Sequence, residues 1–317
     1  MTSPILYFVD DLAEGVSTGL AEGVLANTAE GVPVNTAEGV PAPAVPYHRV
    51  DPGAPQITVT DLSVTRGDGI FETAGVLHRD VQALEAHLRR FAASARILDL
   101  PAPRLEVWRE AILAAVRAYD SDEPGYVKFI MTRGIEGTGV PVGWAYVATA
   151  EDFSAERGVG IRVVTLDRGY RHDVAKTSPW LLQGAKTLSY AVNKAVLREA
   201  ARRGADDVLF VSSDGFALEG PTSTLLARYG DTYATPSTDQ GILAGTTQAS
   251  VFDWLEEQGC ATEYRQITAA ELPRADALWL LSSSRLAAPV QELDSMPVVV
   301  DTEMTARINA ALEARVS

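Results

Sequence analysis

The segment "GAKTLSY", residues 184–190, contains one of only four lysines in a chain whose other permanent side-chain cations are arginines. A lysine amine can lose its proton and attack a carbonyl group, which an arginine guanidinium cannot do. Lys186 follows a Gly-Ala step and precedes a helical pattern, with hydroxyl side chains at Thr187, Ser189 and Tyr190. The segment therefore indicates a nucleophilic amine, although a solvated lysine in a first helical turn would give the same pattern.

Further polar residues stand at the ends of predicted elements elsewhere in the chain. Glu219 in "EGPTST" follows one strand, and the serines at 282–284 follow another. Thr246 and Thr247 open a helix, where backbone N–H groups, hydroxyls and the helix dipole can bind phosphate. Arg90, in "HLRRF", is a candidate phosphate clamp. Each residue taken alone would also suit an ordinary turn, an N-cap or a surface arginine.

Together these residues supply an amine, a carboxylate and several phosphate-binding groups. Pyridoxal 5'-phosphate requires these three things: an amine that attaches to it, a carboxylate beside its pyridine nitrogen, and an anchored phosphate. A neighbouring carboxylate favours the protonated nitrogen, and the ring depends on that proton to act as an electron sink. The sequence therefore predicts a pyridoxal 5'-phosphate site around Lys186.

The elements that must carry these residues alternate between helices and strands, which predicts an α/β (α+β) chain. Its 317 residues exceed one ordinary core and indicate two domains. We predict a smaller α+β domain over residues 1–150 and a larger α/β domain, carrying the lysine, over residues 151–317. No GxGxxG follows a strand, so a Rossmann domain is not supported.

Hydrophobic periodicity assigns the individual elements. In the first half, helices are predicted in "ALEAHLRRFAASARIL" and "RLEVWREAILAAVRAY", and strands in "ILYFVD", "GYVKFIMTRG", "AYVATAE" and around the turn of "QITVTDLSVTRGDGIFETAGVLHRDV". In the second half, helices are predicted in "YAVNKAVLREAARRG", "GILAGTTQASVFDWLEEQG" and "TEMTARINAALEAR". Strands are predicted there in "GVGIRVVTLD" and "ALWLLSSS", with two more around the Asp-Gly turn of "DDVLFVSSDGFALEG".

A short repeat interrupts the first domain. The tetrapeptide "AEGV" begins at residues 13, 21, 29 and 37, with a strict period of eight. Each copy offers little apolar surface to offset the entropy of ordering the backbone. We interpret residues 13–40 as a flexible low-complexity insertion, with a small stack of surface turns as the alternative.

Charge and composition argue against several classes of partner. The net charge of −15 disfavours nonspecific nucleic-acid binding. No apolar run approaches the roughly 20 residues of a membrane span, and no basic region precedes a long apolar stretch at the N-terminus. With a single cysteine, Cys260, we expect a cytoplasmic protein. The histidines lack metal-ligand spacing, so no metal site is expected.

The order of the motifs "GDGIFET", "HLRRF", "TRG", "AKTLSY", "LEGPTSTL", "LAGTT" and "LLSSS" resembles that of the class IV aminotransferases, the fold type IV enzymes. This family includes branched-chain and D-amino-acid aminotransferases and 4-amino-4-deoxychorismate lyases. The resemblance runs from about residue 45 to residue 300. It implies a two-domain fold like that of D-amino-acid aminotransferase, with the cofactor at the domain interface, a small amino-acid-like substrate, and a homodimer.

The resemblance also implies roles for single residues. Lys186 would form the Schiff base with pyridoxal 5'-phosphate and shuttle the proton, and Glu219 would face the pyridine nitrogen. Tyr190 would hydrogen-bond the phenolic oxygen of the cofactor. Lys176, in "AKTSP", is the rival lysine, but neither the helix nor the tyrosine follows it.

The remaining implied contacts concern the phosphate, the ring and the substrate. Leu243 would lie against the ring, and Arg133, in "TRG", would bind the substrate. The phosphate would be held by four side chains: Arg90, Thr246, Thr247 and Ser283.

Two reactions fit the resemblance. "GDGIFET" and "TRG" are closer to the lyase and D-amino-acid branches, whereas Tyr190 is closer to the branched-chain enzymes. We therefore expect a 4-amino-4-deoxychorismate lyase, which makes 4-aminobenzoate and pyruvate for folate synthesis. The alternatives are an amino-acid aminotransferase, for branched-chain or D-amino acids, and a non-catalytic binding or regulatory module that retains the fold.

Overall fold

The computed structural model describes residues 2–15 and 45–315. Most of the predicted insertion at 13–40 therefore lies outside the described residues. Its first residue, Ala13, is buried and forms an isolated bridge with Pro103, and the Glu14 N–H donates to Ala102 O at 2.9 Å. Because Ala13 and Glu14 belong to the packed fold, the predicted boundary at residue 13 is too early.

The first half of the chain forms a six-stranded antiparallel sheet with the order β2-β1-β6-β5-β3-β4. The strands are β1 Ile5–Val9, β2 Tyr47–Val50, β3 Gly69–Leu77, β4 Asp80–Val81, β5 Gly125–Thr132 and β6 Val142–Thr149. Two amphipathic helices, α2 Leu84–Ile97 and α3 Leu105–Ala118, pack on the sheet, as their periodicity predicts. Phe91, Trp108 and Phe129 meet edge-on or tilted at the centre of this core.

One part of the first sheet was assigned wrongly from the sequence. Residues 62–66, within a stretch predicted to alternate strands and turns, form a short helix, α1 Leu62–Arg66. Asp61 caps it by accepting a hydrogen bond from the Ser63 N–H at 2.8 Å, and Gly67, with φ of 66°, ends it. The cap outweighs the strand propensity of the valines and threonines nearby.

The second half builds a mixed eight-stranded sheet with the order β11-β10-β9-β12-β13-β7-β8, and β14 added beside β13. Its strands are β7 Ile161–Asp167, β8 Asp207–Val211, β9 Thr224–Tyr229, β10 Thr232–Pro236, β11 Ala261–Arg265, β12 Ala277–Ser282, β13 Leu286–Leu293 and β14 Met296–Pro297. Its helices are α4 Ser154–Val159, α5 Val174–Thr177, α6 Ala191–Arg202, α7 Thr246–Glu257 and α8 Thr302–Glu313. Helices α6, α7 and α8, which were predicted, pack on this sheet.

Several elements of this half were not predicted. Strands β9 and β10 form a hairpin, and β11 extends the sheet beside β10. Strand β13 lies between β12 and β7, which were assigned. Residues 154–159, partly read as a strand, form α4. The second strand predicted in "DDVLFVSSDGFALEG" is reduced to an isolated bridge of Ala217 with Val211, together with backbone hydrogen bonds between Phe210 and residues 218–219.

The chain changes sheet between Thr149, the end of β6, and Ile161, the start of β7. This change supports the predicted division near residue 150, and the two domains as independent units stay a prediction. Within residues 2–15 and 45–315, no helix has the length and apolar character needed to cross a membrane.

Candidate active site

The segment that carries Lys186 lies along the beginning of β3. Lys186 O accepts a hydrogen bond from the Phe71 N–H at 3.0 Å, and the Leu188 N–H donates to Gly69 O at 2.8 Å. The Lys186 N–H donates to the Ser94 hydroxyl of α2 at 3.1 Å. A Cβ at Gly69 would lie 2.7 Å from the Leu188 side chain. Gly69, the second glycine of "GDGIFET", therefore permits this close approach of the two segments.

The Lys186 amine lies over an aromatic ring in a partly buried position. Its Nζ is 4.5 Å from the centroid of the Phe71 ring. Desolvation, with the positive charge of Arg90, lowers the pKa of Lys186 to about 8. An amine with this pKa is partly neutral near physiological pH, so it can act as a nucleophile or accept a proton.

The rival lysine has a different environment. Lys176 is 65% exposed at its side chain, and its Nζ lies 3.0 Å from the carboxylate of Asp239. This is an ordinary solvated ion pair. The structure therefore favours Lys186 over Lys176 as the reactive amine.

Glu219 brings a carboxyl group to the same region. Burial raises the pKa of Glu219 to about 7, although the Leu243 N–H, at 3.1 Å from Oε2, and the charge of Lys186 oppose this shift. Arg168 also lowers this pKa; its guanidinium lies 4.4 Å from the ring centroid of Phe210. Leu243 thus holds the carboxylate through its backbone, a contact that the sequence did not indicate.

Three hydroxyl groups gather at the beginning of α7, and we call them the hydroxyl cluster: Thr246, Thr247 and Ser283. The two threonines are the first residues of α7, and Ser283 follows the end of β12. Thr247 Oγ1 lies 3.3 Å from Ser283 Oγ, and His87 Nε2 lies 3.3 Å from both Thr246 Oγ1 and Ser283 Oγ. Hydroxyls at the N-terminus of a twelve-residue helix form a suitable phosphate site.

A buried carboxylate, Glu72, positions Arg90 beside this cluster. Arg90 donates through Nε and Nη2 to the two oxygens of Glu72, at 2.7 and 2.6 Å, and through Nη1 to Ala244 O at 2.9 Å. His87 Nδ1 lies 2.7 Å from the same carboxylate. Although burial opposes ionisation, Arg90 and His87 lower the pKa of Glu72 to about 2.

Sequence reasoning selected Arg90 but missed Glu72 and His87. The spacing of His87 and Arg90, three residues apart on one helix, was a usable signal, because such residues share a face. Nothing in the sequence indicated that Glu72, in "FET", is buried, since an acidic residue in a strand usually faces solvent.

Tyr190 lies close to Lys186, but its hydroxyl group already has a hydrogen-bond partner in the protein. Its hydroxyl donates to Pro221 O at 2.7 Å, and its ring meets that of Phe71 edge-on at 5.5 Å. The predicted contact of Tyr190 with the phenolic oxygen of the cofactor stays a prediction.

Arg133, the predicted substrate-binding residue, makes its contacts within the protein. Its guanidinium donates to both oxygens of Asp68, to Leu98 O at 2.7 Å and to Asp99 O at 3.2 Å. These contacts tie the turn before β3 to the end of α2. Four of the five guanidinium N–H donors are thus bonded within the protein, and the substrate role of Arg133 stays a prediction.

The side chains around Lys186 fit the requirements of pyridoxal 5'-phosphate. A desolvated amine, a buried carboxyl group with a raised pKa and a hydroxyl cluster at a helix N-terminus are three separate functions brought to one region. Within the described residues, the Glu219 carboxylate accepts a single hydrogen bond, from the Leu243 N–H. It can therefore still accept a hydrogen bond from a protonated heterocyclic nitrogen.

Comparison with known proteins gives the same assignment. The family model of class IV amino-transferases matches residues 69–293. The bifunctional aminodeoxychorismate lyase / D-amino acid transaminase of Mycobacterium tuberculosis is 43% identical over 258 residues, which cover 77% of this chain and 88% of that protein.

Solved structures agree with the sequence matches. A fold IV-transaminase from Curtobacterium pusillum superposes with a TM-score of 0.88 at 53% identity, over 99% of this chain and all of that chain. A hypothetical aminotransferase from Mycobacterium tuberculosis, in a PLP-bound form, superposes with a TM-score of 0.81 at 40% identity, over 84% of this chain and 96% of that chain.

These matches confirm the predicted family, fold class and cofactor. The family model covers well over half of the chain, and the structural neighbours share the two-sheet α/β architecture. The chain therefore belongs to the class IV aminotransferases, and it is a fold type IV enzyme that uses pyridoxal 5'-phosphate to act on amino-acid substrates.

Proposed function

We propose that this enzyme is a 4-amino-4-deoxychorismate lyase, with D-amino-acid transamination as a second activity. The observation that carries the proposal is the 43% identity to the Mycobacterium tuberculosis protein whose name gives both activities. The match spans most of both chains, and all the proposed site residues lie within residues 69–293, which the family model matches.

Transamination in general has separate support in a structural neighbour. The Curtobacterium pusillum protein, 53% identical to this chain, is described as a transaminase. Branched-chain transamination remains the other alternative that the resemblance leaves open. A non-catalytic module is set aside, because the chain belongs to an enzyme family and retains both Lys186 and Glu219.

Each proposed site residue has a distinct task. Bound pyridoxal 5'-phosphate supplies the electron sink for the carbon that bears the reacting amine. We assign Lys186 as the amine that attaches to the cofactor and later accepts the substrate proton, and Glu219 as the group that keeps the proton on the pyridine nitrogen.

The phosphate is assigned to the hydroxyl cluster and the N-terminus of α7, with Arg90 beside it. Leu243 has two tasks in this assignment: its side chain borders the ring, and its N–H holds Glu219. Tyr190, next to Phe71, is assigned to the phenolic oxygen.

The lyase reaction balances with these groups. The proton on C4 of aminodeoxychorismate passes to Lys186, and the bond from C3 to the enolpyruvyl oxygen breaks. The leaving enolpyruvate takes up a proton to become pyruvate, and the ring, with its amino group, becomes 4-aminobenzoate. No external oxidant or reductant is needed.

Product analysis tests the proposal. Holoenzyme incubated with aminodeoxychorismate should yield 4-aminobenzoate and pyruvate in equal amounts. D-alanine with 2-oxoglutarate should yield pyruvate and glutamate. Lys186→Ala should abolish both reactions, and Lys176→Ala, which changes an exposed lysine, should leave both intact. Transamination without any 4-aminobenzoate would contradict the lyase assignment and leave the transaminase.

A further inference from the structure

His87 lies between a buried carboxylate and the hydroxyl cluster. Its side chain is 1% exposed, and each ring nitrogen faces a different neighbour. Nδ1 lies 2.7 Å from Glu72 Oε2, and Nε2 lies 3.3 Å from both Thr246 Oγ1 and Ser283 Oγ. The Glu72 carboxyl, with a pKa of about 2, is ionised at neutral pH and can only accept hydrogen bonds. Nδ1 therefore carries a hydrogen and donates it to Glu72, and the protonation of Nε2 is the variable.

The state of Nε2 decides where the hydrogens of the hydroxyl cluster point. A hydroxyl group has one hydrogen to donate and two lone pairs that can accept. The neutral ring of His87 has a lone pair on Nε2, so it accepts the hydrogen of Thr246 or Ser283. The protonated ring donates from Nε2 instead, which frees both hydroxyl hydrogens to face a ligand. An anion at the cluster therefore favours the protonated ring, through hydrogen-bond direction as well as charge.

The protein's own groups favour the neutral ring. Burial lowers the pKa of His87, and the positive charges of Arg90, on the same helix, and of Lys186 lower it further. Glu72, on β3, opposes this shift without cancelling it. A phosphate dianion beside the cluster would reverse the balance, because an opposite charge within about 4–6 Å favours the charged form of a group.

We propose that His87 takes up a proton from solvent when the phosphate of the cofactor binds at the hydroxyl cluster. Nε2–H then donates to the hydroxyl oxygens, and Thr246 and Ser283 donate their hydrogens to the phosphate. Glu72 orients the ring and balances the added charge. His87 is thus a positioning residue, since it acts on the phosphate through the two hydroxyl groups.

This inference rests on the proposed assignment of the phosphate to the hydroxyl cluster, and it makes cofactor affinity depend on pH. The pKa of His87 is higher with the phosphate bound than without it. Binding therefore strengthens as the pH falls from the higher value to the lower one. Failure of the assignment is separable, because Thr247→Val tests where the phosphate binds and product analysis tests the reaction, whereas neither reports on the His87 ring.

The test observes the ring nitrogens of His87 by NMR in the full-length enzyme labelled with ¹⁵N-histidine. The enzyme is freed of cofactor and titrated near neutral pH with pyridoxamine 5'-phosphate, whose amine replaces the aldehyde and prevents attachment to Lys186. We expect His87 to change from one protonated ring nitrogen to two. Glutamine variants of the other three histidines, His48, His78 and His172, assign the remaining signals.

The pH dependence of binding gives a second measurement. The dissociation constant for pyridoxamine 5'-phosphate is determined across neutral pH for the wild type and for His87→Gln, whose amide cannot take up a proton. Wild-type affinity should rise more steeply as the pH falls, by up to about tenfold per pH unit. The matched control is His48→Gln, an exposed histidine with Nδ1 2.9 Å from Asp10, which should keep the wild-type pH dependence.

A His87 ring that stays singly protonated on binding would overturn the inference. So would a ring that is doubly protonated before the cofactor is added, or the same pH dependence in the wild type and His87→Gln. The wild-type nitrogen signals decide the question even where His87→Gln fails to fold, because variants of the other histidines leave the signal of His87 by elimination.

Discussion

Two buried carboxyl groups within the electrostatic reach of Lys186 have pKa values shifted in opposite directions. Glu72 accepts a two-pronged hydrogen bond from Arg90 and another contact from His87, and its pKa falls to about 2. Burial raises the pKa of Glu219 to about 7, although its one hydrogen bond, from the Leu243 N–H, and the charges of Lys186, Arg168 and Arg90 oppose the shift. Glu72 is thus satisfied within the protein, whereas Glu219 retains capacity for a ligand.

Glu219→Gln should keep the covalent attachment of the cofactor but lose most turnover. A neutral amide cannot stabilise a protonated pyridine nitrogen, while Lys186 and the hydroxyl cluster remain. We expect kcat to fall on the order of 10²–10⁴-fold. Steady-state kinetics at saturating cofactor measures this loss.

The control for this variant is Thr247→Val, which changes the hydroxyl cluster instead. It should mainly weaken cofactor binding, and excess pyridoxal 5'-phosphate should partly restore its activity. Near wild-type turnover of Glu219→Gln would mean that Glu219 is only a turn residue.

Glu72→Gln should destabilise the fold in a pH-dependent way. The folded-state pKa of about 2 lies below the ordinary 4.5. Ionised Glu72 therefore stabilises the fold above about pH 4.5, and this contribution is lost as the pH falls towards 2. We expect the variant to lose about 3 kcal/mol at pH 7 in urea denaturation, and the difference from wild type to shrink below pH 4.5.

Glu85→Gln provides the comparison on α2, the helix that carries His87 and Arg90, the partners of Glu72. Glu85 pairs with Arg109 in a half-exposed position, so its loss should cost less than about 1 kcal/mol. A Glu72→Gln effect as small as this, or one that does not change with pH, would show that the buried network contributes little.

At the scale of elements, the beginning of α7 is fixed by a close approach to β9. A Cβ at Gly245 would lie 2.4 Å from Thr224 Oγ1 and 3.2 Å from Gln248 Cβ. Gly245→Ala should therefore displace the helix N-terminus that carries Thr246 and Thr247. Overpacking of this kind costs about 1–3 kcal/mol. If the cost falls on the binding free energy of the cofactor, the dissociation constant for pyridoxal 5'-phosphate should rise about ten- to a hundredfold.

Gly158→Ala is the matched control. Gly158 lies in α4 with open space around its Cα, so alanine there should leave cofactor binding unchanged and the melting temperature equal or higher. Equal cofactor affinity in the two variants would contradict the role given to the start of α7.

The helices were predictable and the strands less so, for physical reasons. Helices α2 and α3 bury one continuous stripe, which a single sequence reveals as a 3.6-residue period. Strands β9 and β12 lie in the interior of the second sheet, with both faces largely buried, so no alternation marks them. β12 was found from its apolar run, whereas β9, with a threonine and an arginine, was not.

The site was predictable where a residue's own chemistry is distinctive. Lys186 was identified because lysine is rare in this chain, and Thr246 and Thr247 because they open a helix. Glu72 pairs with Arg90, and Arg133 pairs with Asp68, through tertiary contacts between residues that are distant in the sequence. A single sequence does not reveal such pairs.

At the scale of the molecule, the proposed site draws residues from both sheets. Glu72 and Arg90 come from the first half of the chain, and Glu219, Thr247 and Ser283 from the second. The site is complete only when the two halves are packed together, which explains why its residues are so far apart in sequence.

The chain between Gly15 and Val45 should be dispensable for folding and cofactor binding. The Asp10 N–H donates to Pro46 O, and Val9 pairs with Tyr47, so the two ends are already anchored to the same sheet. Replacing residues 16–44 with a short Gly-Ser linker changes the loop-closure entropy only slightly. The melting temperature should shift by a few degrees at most, and the enzyme should still bind its cofactor.

Deleting residues 13–40 should be more harmful, because it removes the buried Ala13 and the hydrogen bond from Glu14. Thermal denaturation of the two variants makes the comparison. Loss of folding or cofactor from the 16–44 replacement alone would show that this segment contributes to the structure.

The identity of the reactive amine is the central claim, and borohydride reduction tests it most directly. The purified holoenzyme should be yellow, and reduction should abolish its long-wavelength absorption and fix the cofactor on one lysine. Peptide mapping should place the adduct on Lys186, within "GAKTLSY". An adduct on Lys176, or on no lysine, would contradict the account.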